Sequence, residues 1–328
     1  MKTLVPPALY RGDTIAIIAP ASVPERERID RAVSRLEEMG FRVKFFGDIY
    51  RRWGYLAGDD ETRAEELMQA VADPEVAAIF PARGGTGVTR LLDMLDYSLF
   101  RKHPKILTGF SDITALHAAL QEQAGLVTFH SPHPMDGIGM PDGLTDLSAR
   151  TFWRAVLAEN YVAHEKPGFE IPLNDAEREN ITTLVAGNAE GKIVGGNLSL
   201  VCALLGTPYE FDMTGNILLL EEVAEQPYRI DRFLSQLRLA GKFDVIAGVI
   251  LGQFTDCEPG PNKPSLTLAE IFDGYFSHLG IPVLANFPTG HTPDNATLPL
   301  GVAVELDADQ KRITVLENPV RLTRKVVR

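Results

Sequence analysis

The sequence predicts an α/β protein built on a parallel sheet, and three observations carry that expectation. Short continuous apolar runs alternate with amphipathic stretches through the first half, as in Thr14–Ala19 followed by Arg26–Met39. Unbroken runs of this kind fit strands buried on both faces, which is the situation of a parallel sheet covered by helices. The second half keeps such runs but closes with two that flank Asp-Ala-Asp-Gln-Lys-Arg, so some antiparallel pairing is expected there.

The elements follow in order. Thr14–Ala19 is rich in isoleucine and reads as a buried strand. Arg26–Met39 places Ile29, Val33 and Leu36 at helical spacing, and Gly40 is a stop signal. Phe41–Phe46 is the next strand, and Glu61–Ala72 is a helix burying Ala64, Leu67, Met68 and Val71. Val76–Phe80 is a strand that ends at a glycine-rich loop, and Val88–Leu95 is expected to be helical. Lys105–Thr108 and Val127–Phe129 read as strands on either side of a helix over Ile113–Gln123. Right-handed crossovers follow from strand twist. Leu157–Asn180 breaks the rhythm with Pro167, Gly168 and Pro172 and reads as a linker. Domains are therefore expected over 1–156 and 181–328, joined by 157–180. In the second half Ile217–Leu220 and Val245–Leu251 are buried strands, Tyr228–Leu239 and Leu266–Phe276 helices, and Val302–Leu306 with Ile313–Leu316 a hairpin. There is no internal repeat and no low-complexity tract.

Composition narrows the function. The 328 residues are 45% hydrophobic and 23% charged, which is ordinary for a globular chain and excludes disorder and a membrane protein. A net charge of -12 argues against binding nucleic acid through phosphate neutralisation. The two cysteines, Cys202 and Cys257, form no CxxC, so neither a disulfide framework nor a zinc site is expected, and a reducing compartment suits them. Pro6, Pro7, Arg11 and Asp13 interrupt any secretory apolar core, and no run is long enough to span a bilayer. The expected location is the cytoplasm.

Four segments could carry chemistry, and in α/β sheets the ligand crevice lies beyond the carboxyl ends of the strands. Pro81-Ala82-Arg83-Gly84-Gly85-Thr86-Gly87 lets backbone N–H groups approach a phosphate or an oxyanion, although it also fits a tight strand-to-helix turn. No Gly-Lys-Ser/Thr follows it, so it is not a Walker loop. Thr108-Gly109-Phe110-Ser111-Asp112 has the logic of a nucleophile elbow, but lacks its last glycine and also fits an ordinary N-cap. Glu221-Glu222 closes a buried strand, where only one of two neighbours can face a given site. Pro288-Thr289-Gly290-His291-Thr292-Pro293 fixes a loop around a histidine, the usual proton shuttle near neutral pH. His130 and His133 make a weak HxxH with no further ligands nearby in sequence. Together the four segments supply nucleophile, base, orienter and backbone donors, the parts of an acyl-transfer site.

In these segments and others the chain resembles the LD-carboxypeptidase family of serine peptidases, which includes muramoyltetrapeptide carboxypeptidases and microcin C immunity proteins. The likeness runs through Arg11-Gly12-Asp13, Ala19-Pro20-Ala21-Ser22, Ala82-Arg83-Gly84-Gly85 and Gly109-Phe110-Ser111-Asp112-Ile113-Thr114. It continues in Gly195-Gly196-Asn197-Leu198, Leu205-Gly206-Thr207-Pro208-Tyr209, Leu220-Glu221-Glu222, Pro227-Tyr228-Arg229-Ile230-Asp231-Arg232, Gly290-His291 and Leu298-Pro299-Leu300-Gly301. The resemblance implies a flavodoxin-like N-terminal domain, a swivelling β/β/α C-terminal domain and a site in the cleft between them. It implies Ser111 as nucleophile, His291 as base, Glu221 as the acid of the triad, and an oxyanion hole from the N–H groups of Gly85 and Asp112. It implies a homodimer, no metal or organic cofactor, and a murein tetrapeptide that loses its terminal D-alanine. The alternative within the family is an aminoacyl- or peptidyl-nucleotide, for which Phe254, Phe272 or Tyr275 could stack on a base. Arg83, Arg229 and Arg232 are candidates for the substrate carboxylate. Outside the family, a ligand-binding protein that keeps the cleft is the rival reading. Thr86 stands where the family has tyrosine, and Ser131-Pro132-His133-Pro134 replaces the family's Gly-Pro-Met.

Overall fold

The computed structural model describes residues 2–161, 167–260 and 264–324. The first half runs β1 (Thr14–Ile18), α1 (Arg26–Glu38), β2 (Arg42–Phe45), α2 (Asp60–Ala72), β3 (Val76–Pro81), α3 (Tyr97–Lys102), β4 (Ile106–Gly109), α4 (Thr114–Ala124), β5 (Thr128–His130) and α5 (Asp146–Val156). Then follow β6 (Phe169–Glu170), α6 (Asp175–Glu179), β7 (Thr182–Val185), β8 (Asn188–Asn197), α7 (Leu198–Ala203), β9 (Ile217–Val223), α8 (Pro227–Leu239), β10 (Gly248–Thr255), α9 (Leu268–Phe276), β11 (Val283–Ala285), β12 (Leu298–Leu300), β13 (Ala303–Asp307) and β14 (Arg312–Val315).

The first sheet has the order β12-β5-β4-β3-β1-β2. Its five strands from the first half are parallel and follow the flavodoxin-like order. All five residues of β1 are buried, which explains its unbroken apolar run. Ile15, Ile17, Phe80 and Phe129 pack toward Ile29 and Leu36 of α1 and Phe152 of α5. Ala16, Ile18, Ile79 and Leu107 pack on the other face with Leu67 of α2 and Leu116 of α4. Successive strand residues thus feed opposite layers.

The second sheet has the order β6-β14-β13-β8-β9-β10-β11-β7. Strands β8 to β11 are parallel, whereas β13, β14, β6 and β7 pair antiparallel at its flanks. The expected hairpin is β13–β14.

Several expectations change in detail. Val88–Leu95 is two 3-10 turns, Val88–Arg90 and Leu92–Met94, and not one helix. The strand expected from Val245 begins at Gly248. The ten-residue β8 gave no strand signal, because its three glycines lower strand propensity. Residues 162–166 of the expected linker lie outside the described residues, and later linker residues form β6 and α6, with β6 pairing to β14.

One connection positions the site. β11 belongs to the second sheet, yet β12 pairs antiparallel with β5 at the edge of the first. The loop between them, which carries His291, is therefore anchored at one end in each sheet.

Candidate active site

Ser111 stands two residues beyond the end of β4 and has φ 61, in the left-handed region that residues with a Cβ rarely occupy. Such a conformation persists only where its surroundings over-determine it. Here they do. The Gly109 N–H donates to Ser131 Oγ at 3.1 Å, and the Ser131 N–H donates back to the Gly109 carbonyl at 3.1 Å. The Phe110 N–H donates to His133 Nε2 at 3.2 Å. His117 Nε2 lies 2.9 Å from the Gly109 carbonyl, so it is the donor there. Beyond the serine, the Ile113 N–H closes on the Phe110 carbonyl at 3.1 Å.

The glycine-rich loop after β3 lies against this turn. A Cβ on Gly84 would sit 2.8 Å from Ser111 Cβ and 3.0 Å from its Oγ, so only glycine permits the approach. Gly85 has φ 117, and the Thr86 N–H donates to Ser22 Oγ at 3.2 Å. The Asp112 carboxylate accepts the Val88 N–H at 2.9 Å and ties the end of the loop to the serine turn. Burial pushes the Asp112 carboxyl pKa up, and the Val88 bond and Arg63 only partly offset it. The fully buried Arg63 donates to the Gly58 and Gly87 carbonyls at 3.1 Å each, to Pro20, and to Asp60. It is a positioning side chain that sequence reading missed.

Glu221 ends the apolar run of β9 and is fully buried. Its Oε2 lies 2.6 Å from His291 Nδ1. The approach requires glycine at 290, since a Cβ there would come within 2.8 Å of that oxygen, and φ is 118. Burial lowers the His291 pKa, but the hydrogen bond and charge of Glu221, with Glu222 and Asp136 behind, outweigh it and raise the net value. Glu222 points the other way. It accepts from Asn197 Nδ2 at 2.8 Å, from the Ser199 N–H at 2.9 Å and from the Val223 N–H at 2.9 Å, anchoring the start of α7.

Ser111 and His291 both face a cavity of about 640 Å³, together with Gly84, Gly85 and Phe110. The Phe110 ring packs edge-on against His291, with centroids 4.8 Å apart. Among the described residues no hydrogen bond joins Ser111 Oγ to His291, a looseness common in catalytic pairs without substrate. The Nδ1 contact to Glu221 leaves Nε2 as the nitrogen available for proton transfer.

Of the candidate arginines, Arg83 lines the cavity. Arg229 and Arg232 do not: Arg229 pairs with Glu225 at 2.7 Å, and Arg232 lies over the Tyr228 ring. Arg28, unremarked in the sequence, lines the cavity with Asp136, and the two are 3.5 Å apart. Phe254, Phe272 and Tyr275 do not reach the cavity either. Phe254 meets Phe272 at 4.8 Å, and the Tyr275 hydroxyl donates to Asp231 Oδ1 at 2.6 Å. Among the described residues no group of three or more His, Cys, Asp or Glu is placed to hold a metal ion, and His130 and His133 are buried around Phe110. Among the same residues no helix is long and apolar enough to cross a membrane.

Comparison with known proteins finds likeness along most of the chain. Residues 15–131 match the LD-carboxypeptidase N-terminal domain and residues 190–306 the LD-carboxypeptidase C-terminal domain. A probable murein peptide carboxypeptidase of Bacillus subtilis (strain 168) is 39% identical, over 94% of this chain and 93% of its own. A solved structure of MccF in complex with glutamyl sulfamoyl guanosine superposes with a TM-score of 0.85 at 28% identity, covering 97% of this chain and 100% of that one. The crystal structure of muramoyltetrapeptide carboxypeptidase from Oxalobacter formigenes gives 0.78 at 29% identity, covering 92% and 97%.

Proposed function

The chain belongs to the LD-carboxypeptidase family, and from that premise we propose that it releases the terminal D-alanine of a murein tetrapeptide through covalent catalysis at Ser111. It is a serine-type LD-carboxypeptidase, a hydrolase. The observation that carries the assignment of roles is the 2.6 Å contact between Glu221 and His291 across one cavity from a serine at positive φ.

In this reading His291 Nε2 takes the Ser111 proton as Oγ attacks the carbonyl of the L,D-peptide bond. Glu221 accepts from Nδ1–H, which fixes the tautomer, and stabilises the imidazolium that forms. The N–H groups of Gly85 and Asp112 bind the oxyanion, and losing one such donor costs about 2.7–4 kcal/mol of barrier. His291 returns the proton to the departing D-alanine amine, and water then hydrolyses the acyl-enzyme with the same histidine as base. Every step uses side chains and backbone of this chain. Arg83 pairs with no carboxylate among the described residues, and its guanidinium suits the free carboxylate of the substrate. We read the protein as a cytoplasmic homodimer. The reducing cytoplasm suits the two free, buried cysteines.

The rival substrate is an aminoacyl- or peptidyl-nucleotide, suggested by the likeness to MccF. The packing of Phe254, Phe272 and Tyr275 away from the cavity counts against it, because it removes those residues as a base-stacking platform. Incubating the purified chain with disaccharide-free murein tetrapeptide, and following D-alanine by mass spectrometry, tests the proposal. Release is expected from the wild type and not from Ser111→Ala. Release that persists in the variant would refute the nucleophile. No release from folded wild type would move the substrate to the nucleotide class.

A further inference from the structure

We propose that Ser131 and His133 are positioning residues for the reaction, clamping the backbone of Gly109 and Phe110 so that Ser111 is held in its left-handed conformation. The proposal rests on the reading of Ser111 as nucleophile.

The β4–β5 ladder ends at the pair Gly109 and His130. Beyond that pair, side chains take over from the ladder. Two consecutive N–H groups, those of Gly109 and Phe110, donate to Ser131 Oγ and His133 Nε2 at 3.1 and 3.2 Å. Both acceptors sit on the loop that leaves β5, two residues apart. The Ser131 N–H closes the ring on the Gly109 carbonyl. The approach is close enough that a Cβ on Gly109 would stand 3.1 Å from His133 Nε2. The last two peptide donors before the strained serine are thus bound by groups outside the strand, Ser131 and His133, the second of which also lines the cavity.

His133 adds a second constraint. Its ring stacks on Phe110 with centroids 4.5 Å apart and planes 27° apart, and Phe110 presents its edge to His291. One imidazole therefore supports the nucleophile's turn through a hydrogen bond and the base's ring through an aromatic neighbour.

The clamp requires one tautomer. Accepting at Nε2 places the proton of the neutral ring on Nδ1, which lies 3.8 Å from Asp136 Oδ2. A protonated ring would set an N–H against the Phe110 N–H. The charged and titratable groups around the ring are Asp136 on its own loop, Arg83 after β3, His117 on α4, His130 on β5 and His291 beyond β11. The ring is fully buried, and burial keeps its pKa below the ordinary value despite the pull of Asp136.

Two measurements on the full chain test this. In the first, histidine-selective 15N labelling reads the ring nitrogens, with His133→Gln identifying the signal. A protonated Nδ1 and bare Nε2 are expected at neutral pH and still at the ordinary histidine value of about 6.5. A protonated Nε2, or titration near the ordinary histidine value of about 6.5, would overturn the clamp. In the second, kcat and KM for D-alanine release are compared at equal folded concentration. His133→Phe keeps the stack and loses the acceptor, and kcat should fall on the order of 10- to 100-fold with KM within about twofold, because small misplacements at reacting atoms are costly in rate. His133→Gln retains an acceptor at similar reach and should recover most of the loss. A phenylalanine variant within about threefold of wild type, or no better rate in the glutamine variant, would refute the proposal. If His133→Phe does not fold, Ser131→Ala against Ser131→Thr applies the same criterion. A wild type that releases no D-alanine while the ring signals are as expected would sink the substrate reading and leave the clamp standing.

Discussion

Glu221 and Glu222 are adjacent in β9, yet one meets His291 and the other anchors α7. The alternation of side chains along a strand separates them, and Gly290 admits Glu221 to the histidine. Glu221→Gln keeps the shape but loses the charge and the tautomer control. We expect kcat to fall on the order of 10⁴-fold, as in other triads that lose this acid. The pH profile gives a second readout. The His291 pKa is raised, so the neutral base is populated only above its ordinary 6.5, and the acidic limb of kcat/KM should lie there. Removing the Glu221 charge should move that limb to lower pH, which a profile from about pH 5 to 9 would reveal. The same raised pKa contributes stability that is fully present below the unfolded value and is lost as pH rises through the folded one. Activity therefore appears as that contribution disappears. Ser111, Glu221 and His291 stand out in the sequence as candidates because each stands at a turn marked by glycine or at the end of an apolar run. Ser131, His133 and Arg63 do not. Their role is to bond backbone groups far along the chain, which leaves no local pattern.

The loop between β11 and β12 shows how an element can aim a side chain. Asn295 Oδ1 accepts the Gly290 N–H and the Thr289 hydroxyl, each at 3.1 Å, and that hydroxyl also reaches the Ala296 carbonyl at 2.9 Å. From α5, Ser148 Oγ accepts the Asn295 N–H at 2.8 Å and donates to the Pro293 carbonyl at 3.0 Å, while Thr151 Oγ1 accepts the Thr297 N–H at 3.0 Å. Asn295→Ala leaves the buried Gly290 N–H unpaired at a cost of about 1–3 kcal/mol. We expect a lower thermal midpoint together with a roughly tenfold loss of kcat at nearly constant KM, since the base is displaced more than the cavity. A variant that lost stability but kept full kcat would show that the brace does not aim His291. Glycine and two prolines around His291 were enough to predict a fixed loop, but the brace from α5 is a long-range contact. β8 was invisible for a different reason. Gly195 and Gly196 are required there because a Cβ at 195 would run into the Leu219 carbonyl and one at 196 into Thr114, and those glycines erase the strand signal.

At the scale of the molecule, the two sheets do not have separate cores. One apolar cluster joins Ile15, Phe80 and Phe129 of the first sheet to Ile217, Leu219 and Ile250 of the second. The other joins Ile79 and Leu107 to Leu218, Leu220 and Val249. β12 adds a covalent tie, a strand from late in the chain that pairs with β5. Its centre is Pro299, tolerated at a sheet edge but a poor sequence sign of a strand. From this sharing we expect one cooperative thermal transition, with calorimetric and van't Hoff enthalpies equal. Two separated transitions would mean that the shared layers do not couple the sheets. The midpoint should also fall on the acid side. His117, His130 and His133 are fully buried, and burial lowers all three pKa values, that of His117 to about 4. A lowered value gives stability that is present above the unfolded 6.5 and is lost as pH drops toward the folded value, so the three must be protonated for the chain to unfold in acid. Among the histidines with shifted values His291 alone acts in the opposite sense, and raised carboxyls such as that of Asp112 act with it. The three lie on α4, β5 and the loop after β5, around the turn that presents Ser111, and the transition should stay single as its midpoint declines, because the segment they destabilise is shared by both layers of the first sheet.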